Sequence, residues 1–234
     1  MAFQPIWDLH AGRVLAYEAL TRPATHYGFA GPQEVFDTAE RLGRAHDLDA
    51  ICRRAILARA ADLPPDALLF LNVSPQTLEH GSLAGDTLVA AVAAAGLMPE
   101  RVVLEITERS LARLPAVVRE ARRLRGLGFR LALDDVGAGN AGLQMLSQVP
   151  VDFIKVDRGV VAQALADPTA DGVLAAVVAF AGKTGSRVVA EGIETTAMLA
   201  HVGGAGVACA QGYLLGRPDA ALAPGPAYPQ ILSA

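Results

Sequence analysis

The sequence has little cysteine and no apolar run of membrane-spanning length. Cys52 and Cys209 are the only cysteines and lie far apart in the chain. This argues against a disulfide framework and against a cysteine-based zinc site. The most apolar stretches, residues 88–98 and 172–182, fall well short of the roughly 18 to 20 residues of a spanning helix. Residues 1–9 also lack the basic and apolar segments of a signal peptide. We therefore expect no membrane insertion and a cytoplasmic location.

An excess of positive charge is missing as well. Lys and Arg number 20 against 24 Asp and Glu, the net charge is −4, and no block of basic residues occurs. A protein that binds polymeric nucleic acid usually carries a basic stripe, so we expect no such partner. A small anion held by metal ions would need no stripe. With 52% hydrophobic and 19% charged residues, the 234-residue chain can bury a large core.

Strand-like apolar runs alternate with helical patterns along the whole chain, which favours a mostly parallel sheet. We predict strands at residues 3–9, 14–19, 67–73, 102–107, 130–135, 153–156 and 187–190, with a short one near 207–211. Helical spacing of apolar residues predicts helices at 33–45, 48–61, 87–97, 116–127, 143–148, 173–182 and 197–202. About eight strands in a chain of this length favour a closed barrel.

The first two predicted strands are joined by a turn at residues 8–12 that has no room for a crossover helix. They should therefore pair antiparallel. We predict an α/β fold, a modified TIM (β/α)8 barrel with an antiparallel first strand. A single domain over residues 1–234 is expected, with a Pro/Ala-rich tail from residue 218 onward.

Ionisable or amide residues interrupt six of the predicted strands near their C-terminal ends. They are Glu18, Asn72, Glu105, the pair Asp134 and Asp135, Lys155 and Glu191. One charge at a strand end is usually a surface or capping residue, but six strands sharing the feature is different. Strand C-termini of a barrel meet on one face, and buried charge is costly unless it is paired or metal-bound. We expect Glu18, Asn72, Glu105, Asp134 and Asp135 to converge and share a cation.

The ligand types indicate which cation. All are hard oxygen donors, none of them is a cysteine, and no histidine lies at a strand end. This favours Mg²⁺ or Mn²⁺ over zinc or copper. Adjacent Asp134 and Asp135 could serve two ions, an arrangement that suits attack of a metal-activated water on a phosphodiester. Arg22 and Lys155 supply the positive groups that a phosphate needs.

These segments resemble the signatures of the EAL-domain family of cyclic di-GMP phosphodiesterases, in order and spacing, over about residues 3–218. The matching segments are QPI at 4–6, EALTR at 18–22, LNVS at 71–74, LEITE at 104–108, LDDVGAG at 133–139, IKVD at 154–157, AEGIE at 190–194 and QGY at 211–213. The resemblance implies hydrolysis of cyclic di-GMP to linear pGpG by a water that two Mg²⁺ or Mn²⁺ ions activate.

The resemblance also implies a role for each matching residue. The first metal would be held by Glu18, Asn72, Glu105 and Asp134, and the second by Asp134, Asp135 and Glu191. Catalytic roles would fall to Lys155, which positions the water, to Glu191 as candidate base, and to Glu108, which braces the loop after Asp135. Substrate contacts would come from Arg22, Leu20, Gln4, Gln211 and Glu194. We assign Asp157 to the site rather than to a strand-end cap.

The loop after the two aspartates departs from the family pattern Asp-Phe-Gly-Thr-Gly at Val136 and Ala138, yet no metal ligand is lost. We expect a catalytically competent loop. Three other functions stay open: a cyclic di-GMP sensor that does not cut, a protein-interaction domain, and, from the residue types alone, an enolase-like proton-abstracting enzyme. The resemblance further suggests a homodimer and an attached sensor or cyclase domain outside this chain.

Overall fold

Eight strands close into a barrel in sequence order in a computed structural model of the protein, which describes residues 1–79, 85–107, 114–137 and 142–222. The strands are β1 (Ala2–Asp8), β2 (Arg13–Leu20), β3 (Leu68–Val73), β4 (Val102–Thr107), β5 (Arg130–Val136), β6 (Phe153–Val156), β7 (Arg187–Ala190) and β8 (Cys209–Ala210). β1 pairs antiparallel with both β2 and β8, and all other neighbours pair parallel. The predicted barrel with an antiparallel first strand is confirmed.

Helices cover the outside of the barrel. They are α1 (Pro32–Arg41), α2 (Ala45–Leu57), α3 (Pro75–Glu79), α4 (Gly85–Ala94), α5 (Leu114–Gly126), α6 (Gly142–Gln148), α7 (Arg158–Ala164), α8 (Pro168–Thr184) and α9 (Thr196–Gly204). The sequence patterns missed α7 and also α3, whose five residues are too few to show a period. Among the described residues, no helix combines the length and apolar character that a bilayer-spanning segment needs.

Local signals explain where α8 begins and ends. The Asp167 side chain accepts a hydrogen bond from the Thr169 backbone N–H, and Pro168 occupies the first turn. Both features favour a helix start, since the first N–H groups of a helix have no internal partner. The helix ends at Gly185, whose φ of 77° is the left-handed conformation that stops a helix.

The barrel interior has two layers. Side chains two residues apart on a strand face the same side, so each strand contributes to both layers. The apolar layer consists of Ile6, Ala16, Leu68, Phe70, Val103, Ala132, Phe153, Val189 and Cys209. The polar layer lies above it, toward the C-terminal ends of the parallel strands, and consists of Gln4, Glu18, Asn72, Glu105, Asp134, Lys155, Glu191 and Gln211. Every member of the polar layer lies two positions from a member of the apolar layer.

Candidate active site

A single lysine occupies the middle of the polar layer. The Lys155 Nζ lies 2.6 Å from Glu105 Oε1, 2.9 Å from Asp134 Oδ1, 2.9 Å from Glu191 Oε1 and 3.4 Å from Glu18 Oε1. The Lys155 side chain is 1% exposed, so water cannot screen these charges. Four ionised carboxylates around one ammonium leave three negative charges in excess. The residues themselves therefore do not balance the charge of the site.

The pKa values of the buried groups reflect this imbalance. Burial raises the pKa of Glu105 well above its usual range, against the opposing effect of Lys155. Burial likewise raises the pKa of Glu191 to about 8; Lys155 lowers it, and the nearby Asp134 and Glu18 raise it further. Burial by itself would lower the pKa of Lys155, but the surrounding carboxylates outweigh burial and raise it well above the normal value. Lys155 therefore stays charged, while the carboxylates compete for protons or cations.

Several buried oxygen atoms have no hydrogen-bond donor among the described residues apart from the Lys155 ammonium. They are both carboxylate oxygens of Glu105, Oδ1 of Asp134 and Oε1 of Gln211. Lys155 makes ionic contacts with Glu105 Oε1 and Asp134 Oδ1, but Glu105 Oε2 has no such contact among the described ion pairs. Leaving a buried carboxylate oxygen without a partner costs free energy, and a bound cation removes that cost. Hard oxygen donors with surplus negative charge fit Mg²⁺ or Mn²⁺.

An irregularity in β5 brings two consecutive aspartates to one place. Side chains of neighbouring residues in a regular strand point to opposite faces. The pairing of β5 with β6 shifts register between Leu133 and Val136, and Asp135 adopts a φ of 59°. As a result, ligand atoms of Asp134, Asp135 and Glu191 all lie within 4.8 Å of one another. Asp tolerates the left-handed conformation better than most residues, although it carries some strain there.

The turn after these aspartates needs the glycine that the chain retains. Gly137 has a φ of 99°, and a Cβ at this position would lie 2.6 Å from Val160 Cγ2. Val136, which replaces the phenylalanine of the family pattern, is buried and pairs with Val156 in the sheet. The strand thus reaches Val136 without a large aromatic anchor. Ala138, the other departure, lies outside the described residues.

Two cavities flank the carboxylates. The β2–β3 cavity, of about 420 Å³, is lined by residues that include Leu20, Arg22, Asp49, Arg53 and Asn72. The β7–β8 cavity, of about 290 Å³, is lined by residues that include Gln4, Asp157, Glu194, Gln211 and Tyr213. Glu18 and Asp135 line both. The charged cluster therefore lies between two recesses, so one ligand could reach into both.

The β2–β3 cavity contains a residue that the sequence analysis missed. Arg53 on α2 is 8% exposed, and its Nη1 donates no hydrogen bond to any described residue. Nη1 lies 3.9 Å from Asp49 Oδ2, an oxygen that already accepts a hydrogen bond from the Ser74 backbone N–H at 2.8 Å. The sequence could have indicated this residue, because Arg53 lies near Ile56 on the inward face of an amphipathic helix. A buried guanidinium with a spare N–H beside a cavity can bind a ligand acceptor.

The remaining predicted residues occupy varied positions. Asn72 Nδ2 lies 3.5 Å from Glu18 Oε1, and Arg22, exposed, donates to the Thr21 carbonyl at 3.0 Å. Glu194 is exposed at the β7–β8 cavity. Asp157 accepts a hydrogen bond from the Gly159 N–H at 2.7 Å and is the N-cap of α7. The Asp157 carboxylate thus caps a helix, which is the alternative to the predicted site role. Glu108 lies outside the described residues.

Comparison with known proteins agrees with this geometry. The family model described as the EAL domain matches residues 1–218. The chain belongs to the EAL-domain family. It is 32% identical to the cyclic di-GMP phosphodiesterase RocR of Pseudomonas aeruginosa, over 92% of this chain and 56% of RocR. It is 34% identical to the cyclic di-GMP phosphodiesterase NbdA of the same organism, over 92% of this chain and 28% of NbdA.

Solved EAL structures share the fold. The manganese and cyclic di-GMP complex of Klebsiella pneumoniae BlrP1 at pH 6 matches with a TM-score of 0.84 and 32% identity, over 93% of this chain and 55% of that one. The cyclic di-GMP complex of the PaMucR phosphodiesterase matches with a TM-score of 0.82 and 27% identity, over 93% of this chain and 90% of that one. The chain spans only 26% to 56% of the length of RocR, NbdA and similar curated relatives.

Proposed function

We propose that this EAL domain hydrolyses one phosphodiester of cyclic di-GMP to linear pGpG with the help of two Mg²⁺ or Mn²⁺ ions. The observation that carries the proposal is the cluster of four carboxylates around Lys155, in which the buried Oε2 of Glu105 has no described partner. RocR and NbdA, which are named cyclic di-GMP phosphodiesterases, support the substrate.

The carboxylates divide between two metal positions in this proposal. The first ion would be held by Glu18, Asn72, Glu105 and Asp134, and the second by Asp134, Asp135 and Glu191. Two divalent cations at these positions would lower the pKa of a water molecule and offset the charge that develops on the attacked phosphate. With Asp135 included, the five ionised carboxylates and Lys155 carry an excess of four negative charges, which the four positive charges of two ions would balance. The polar layer thereby becomes a nearly neutral site for an anionic substrate.

Lys155 and Glu191 supply the groups that act on the reacting atoms. Lys155 keeps its proton because the carboxylates raise its pKa, so it can stabilise negative charge on a phosphate oxygen. Glu191, once ionised by the bound cations, would accept a proton from the attacking water. The water oxygen bonds to phosphorus, and the bond from phosphorus to the ribose 3′ oxygen breaks. The 3′ oxygen takes up a proton, and the product carries a 5′-phosphate.

The two cavities suit the two halves of the dinucleotide. We place one guanosine in the β2–β3 cavity and the other in the β7–β8 cavity, with the attacked phosphodiester over Glu18 and Asp135. Arg22 would contact a phosphate at the mouth of the β2–β3 cavity. Arg53 would donate to an acceptor atom deeper in the same cavity, where its Nη1 lacks a described acceptor.

The deciding experiment separates the nucleotides after incubation of the purified domain with cyclic di-GMP and Mn²⁺, with and without chelator. We expect pGpG to form only with free metal. Glu18→Ala should abolish turnover with the fold retained, and unchanged activity would remove Glu18 from the metal site. Glu191→Gln should reduce turnover far more than substrate binding. Calorimetric binding without product would indicate a sensor, and neither binding nor product would overturn the assignment.

A further inference from the structure

A chain of side-chain amides connects the C-terminal segment to the metal ligand Glu18. The Gln4 Nε2 donates to the Gly216 carbonyl oxygen at 3.0 Å. The Gln4 Oε1 accepts from the Gln211 Nε2 at 3.1 Å, and this Nε2 also donates to Glu18 Oε2 at 2.6 Å. Both glutamines are buried, with 7% exposure for Gln4 and 4% for Gln211. Water therefore contributes little to their hydrogen bonding.

The direction of the hydrogen bonds along these side-chain amides is set by the backbone carbonyl at one end. A backbone carbonyl can only accept, so Gly216 requires the NH₂ group of Gln4 on its side. The oxygen of Gln4 must then face Gln211, which has to present its own NH₂ group. Glu18 also only accepts when ionised, so it favours the same orientation of Gln211 from the other end. The two fixed acceptors therefore select one arrangement of both amides.

The C-terminal segment, residues 215–220, is held firmly enough to serve as the fixed end. The Trp7 Nε1 donates to the Leu215 carbonyl at 3.0 Å. Phe3 and Asp219 exchange two backbone hydrogen bonds, of 2.7 and 3.0 Å, along β1. The Arg59 Nη2 donates to the Ala220 carbonyl at 3.1 Å. These contacts fix the Gly216 carbonyl relative to β1, the strand that carries Gln4.

The backbone of Gln211 is equally constrained. Its N–H donates to the Ala190 carbonyl at 2.9 Å, and its carbonyl accepts from the Ile193 N–H at 3.0 Å. A Cβ at the next residue, Gly212, would lie 2.2 Å from the Ile193 backbone, so only glycine allows this close approach. The Gln211 side chain thus starts from a fixed point, and its remaining freedom is rotation. The hydrogen bond to Gln4 restricts that rotation.

We propose that Gln4 is a positioning residue that orients Gln211, and through it the Glu18 carboxylate, for metal binding. Both ends of the Gln4 amide are occupied by protein groups, so its role is to relay orientation rather than to contact the dinucleotide. With Gln211 Nε2 held on Glu18 Oε2, the other oxygen, Glu18 Oε1, is directed to the side of Lys155 and Asn72. This inference rests on the proposed function in one respect, the assignment of Glu18 as a metal ligand.

The first test measures Mn²⁺ affinity by calorimetry, which needs no substrate or turnover. Gln4→Met keeps the length of the side chain and removes both polar ends. Groups that orient a metal ligand typically contribute 10- to 100-fold to metal affinity. We expect the Mn²⁺ dissociation constant of Gln4→Met to be about tenfold or more higher than that of the wild type. An unchanged dissociation constant would overturn the proposal.

Trp7→Phe is the matched control, because it removes a hydrogen bond to the same C-terminal segment without touching the amide chain. We expect this variant to unfold at a lower temperature and to keep its Mn²⁺ affinity within about twofold. Equal losses of affinity in Trp7→Phe and Gln4→Met would show that general loosening of the segment is responsible, and would overturn the role of Gln4.

A double-mutant cycle without metal separates this inference from the proposed function. Gln4→Met, Gln211→Met and the double variant are unfolded by heat in chelator. Because the two side chains share a hydrogen bond, the Tm loss of the double variant should be smaller than the sum of the single losses. Additive losses would overturn the relay. A wild-type chain that binds no Mn²⁺ but shows this coupling would instead refute the metal assignment and support the contact between the two amides.

Discussion

The two layers of the barrel interior are built by the same strands and differ completely in chemistry. On β6, Phe153 packs against Phe70 with ring centroids 5.1 Å apart, and Lys155, two residues later, contacts four carboxylates. The apolar layer fills the lumen below the polar layer. We expect the apolar layer to contribute stability and the polar layer to reduce it, because the polar layer gathers buried charge.

Among variants that test the contrast between the two layers, Glu105→Gln in the polar layer should have the largest effect. The variant loses a carboxylate whose Oε2 has no described partner, so it should lose metal and reduce turnover by about a thousandfold, given the several kcal/mol that a bound metal contributes. Relief of charge repulsion should also raise Tm by a few degrees in chelator. Activity and thermal unfolding are measured side by side.

Glu100→Gln is the control for this prediction, because Glu100 is exposed just before β4 begins, at the opposite end of the barrel. It should change neither activity nor Tm appreciably. If Glu105→Gln lowered Tm in chelator, the carboxylate would be a net stabiliser, and the contrast between the two layers would fail.

The apolar layer should respond in the opposite way. Phe70→Ala removes a fully buried ring and its edge contact with Phe153, which should cost about 3–5 kcal/mol of unfolding free energy. That corresponds to a Tm loss of roughly 10 °C for a chain of this size. Phe70→Leu, which refills much of the space, should lose far less. Thermal unfolding by circular dichroism provides the measurement, and a Tm within 2 °C of wild type after Phe70→Ala would contradict the assigned role.

Arg53 tests whether a buried charge outside the lumen contributes to function. Arg53→Met should weaken cyclic di-GMP binding by roughly tenfold or more, since a hydrogen bond to a charged group contributes about 1.5–3 kcal/mol. The effect should appear in KM rather than in kcat, because Arg53 is proposed to bind the substrate away from the attacked phosphodiester. Arg54→Met, at the exposed neighbouring position, is the control. Equal KM values for the two variants would assign Arg53 to structure alone.

The smallest effect concerns pH in the metal-free chain. Burial raises the pKa of Glu191 to about 8, so the folded chain binds a proton that the unfolded chain has released. This stabilisation is present below the usual glutamate pKa and is lost as pH rises through about 8. We expect Tm in chelator to fall across that window. For this one group, the unfolding free energy should fall by at most about 1.4 kcal/mol per pH unit.

Saturating Mn²⁺ should reduce that slope, because bound metal replaces protons on the carboxylates. Glu191→Gln should reduce it in the metal-free chain. A Tm that rises with pH over the same range in chelator would mean that Glu191 is already ionised in the folded, metal-free chain, and would contradict the raised pKa assigned to it.

The sequence alone determined the barrel and the chemical type of its site. Alternating strands and helices predicted the closed sheet, and the short turn between β1 and β2 predicted their antiparallel pairing, because both depend on local spacing. Polar residues at the ends of six strands indicated a cation site, since a barrel gathers such ends on one face. The candidate ligands Glu18, Glu105, Asp134 and Glu191 do lie together, around Lys155.

Only the tertiary structure decided what depends on contacts between distant residues. Gln4 and Gln211 are 207 positions apart, and their pairing exists only because β1 and β8 are neighbours in the closed barrel. The register shift that joins Asp134 and Asp135, and the spare N–H of Arg53, likewise depend on how strands and helices pack. Sequence spacing reports which face a side chain occupies, whereas the partner it meets there is set by the packing of the whole barrel.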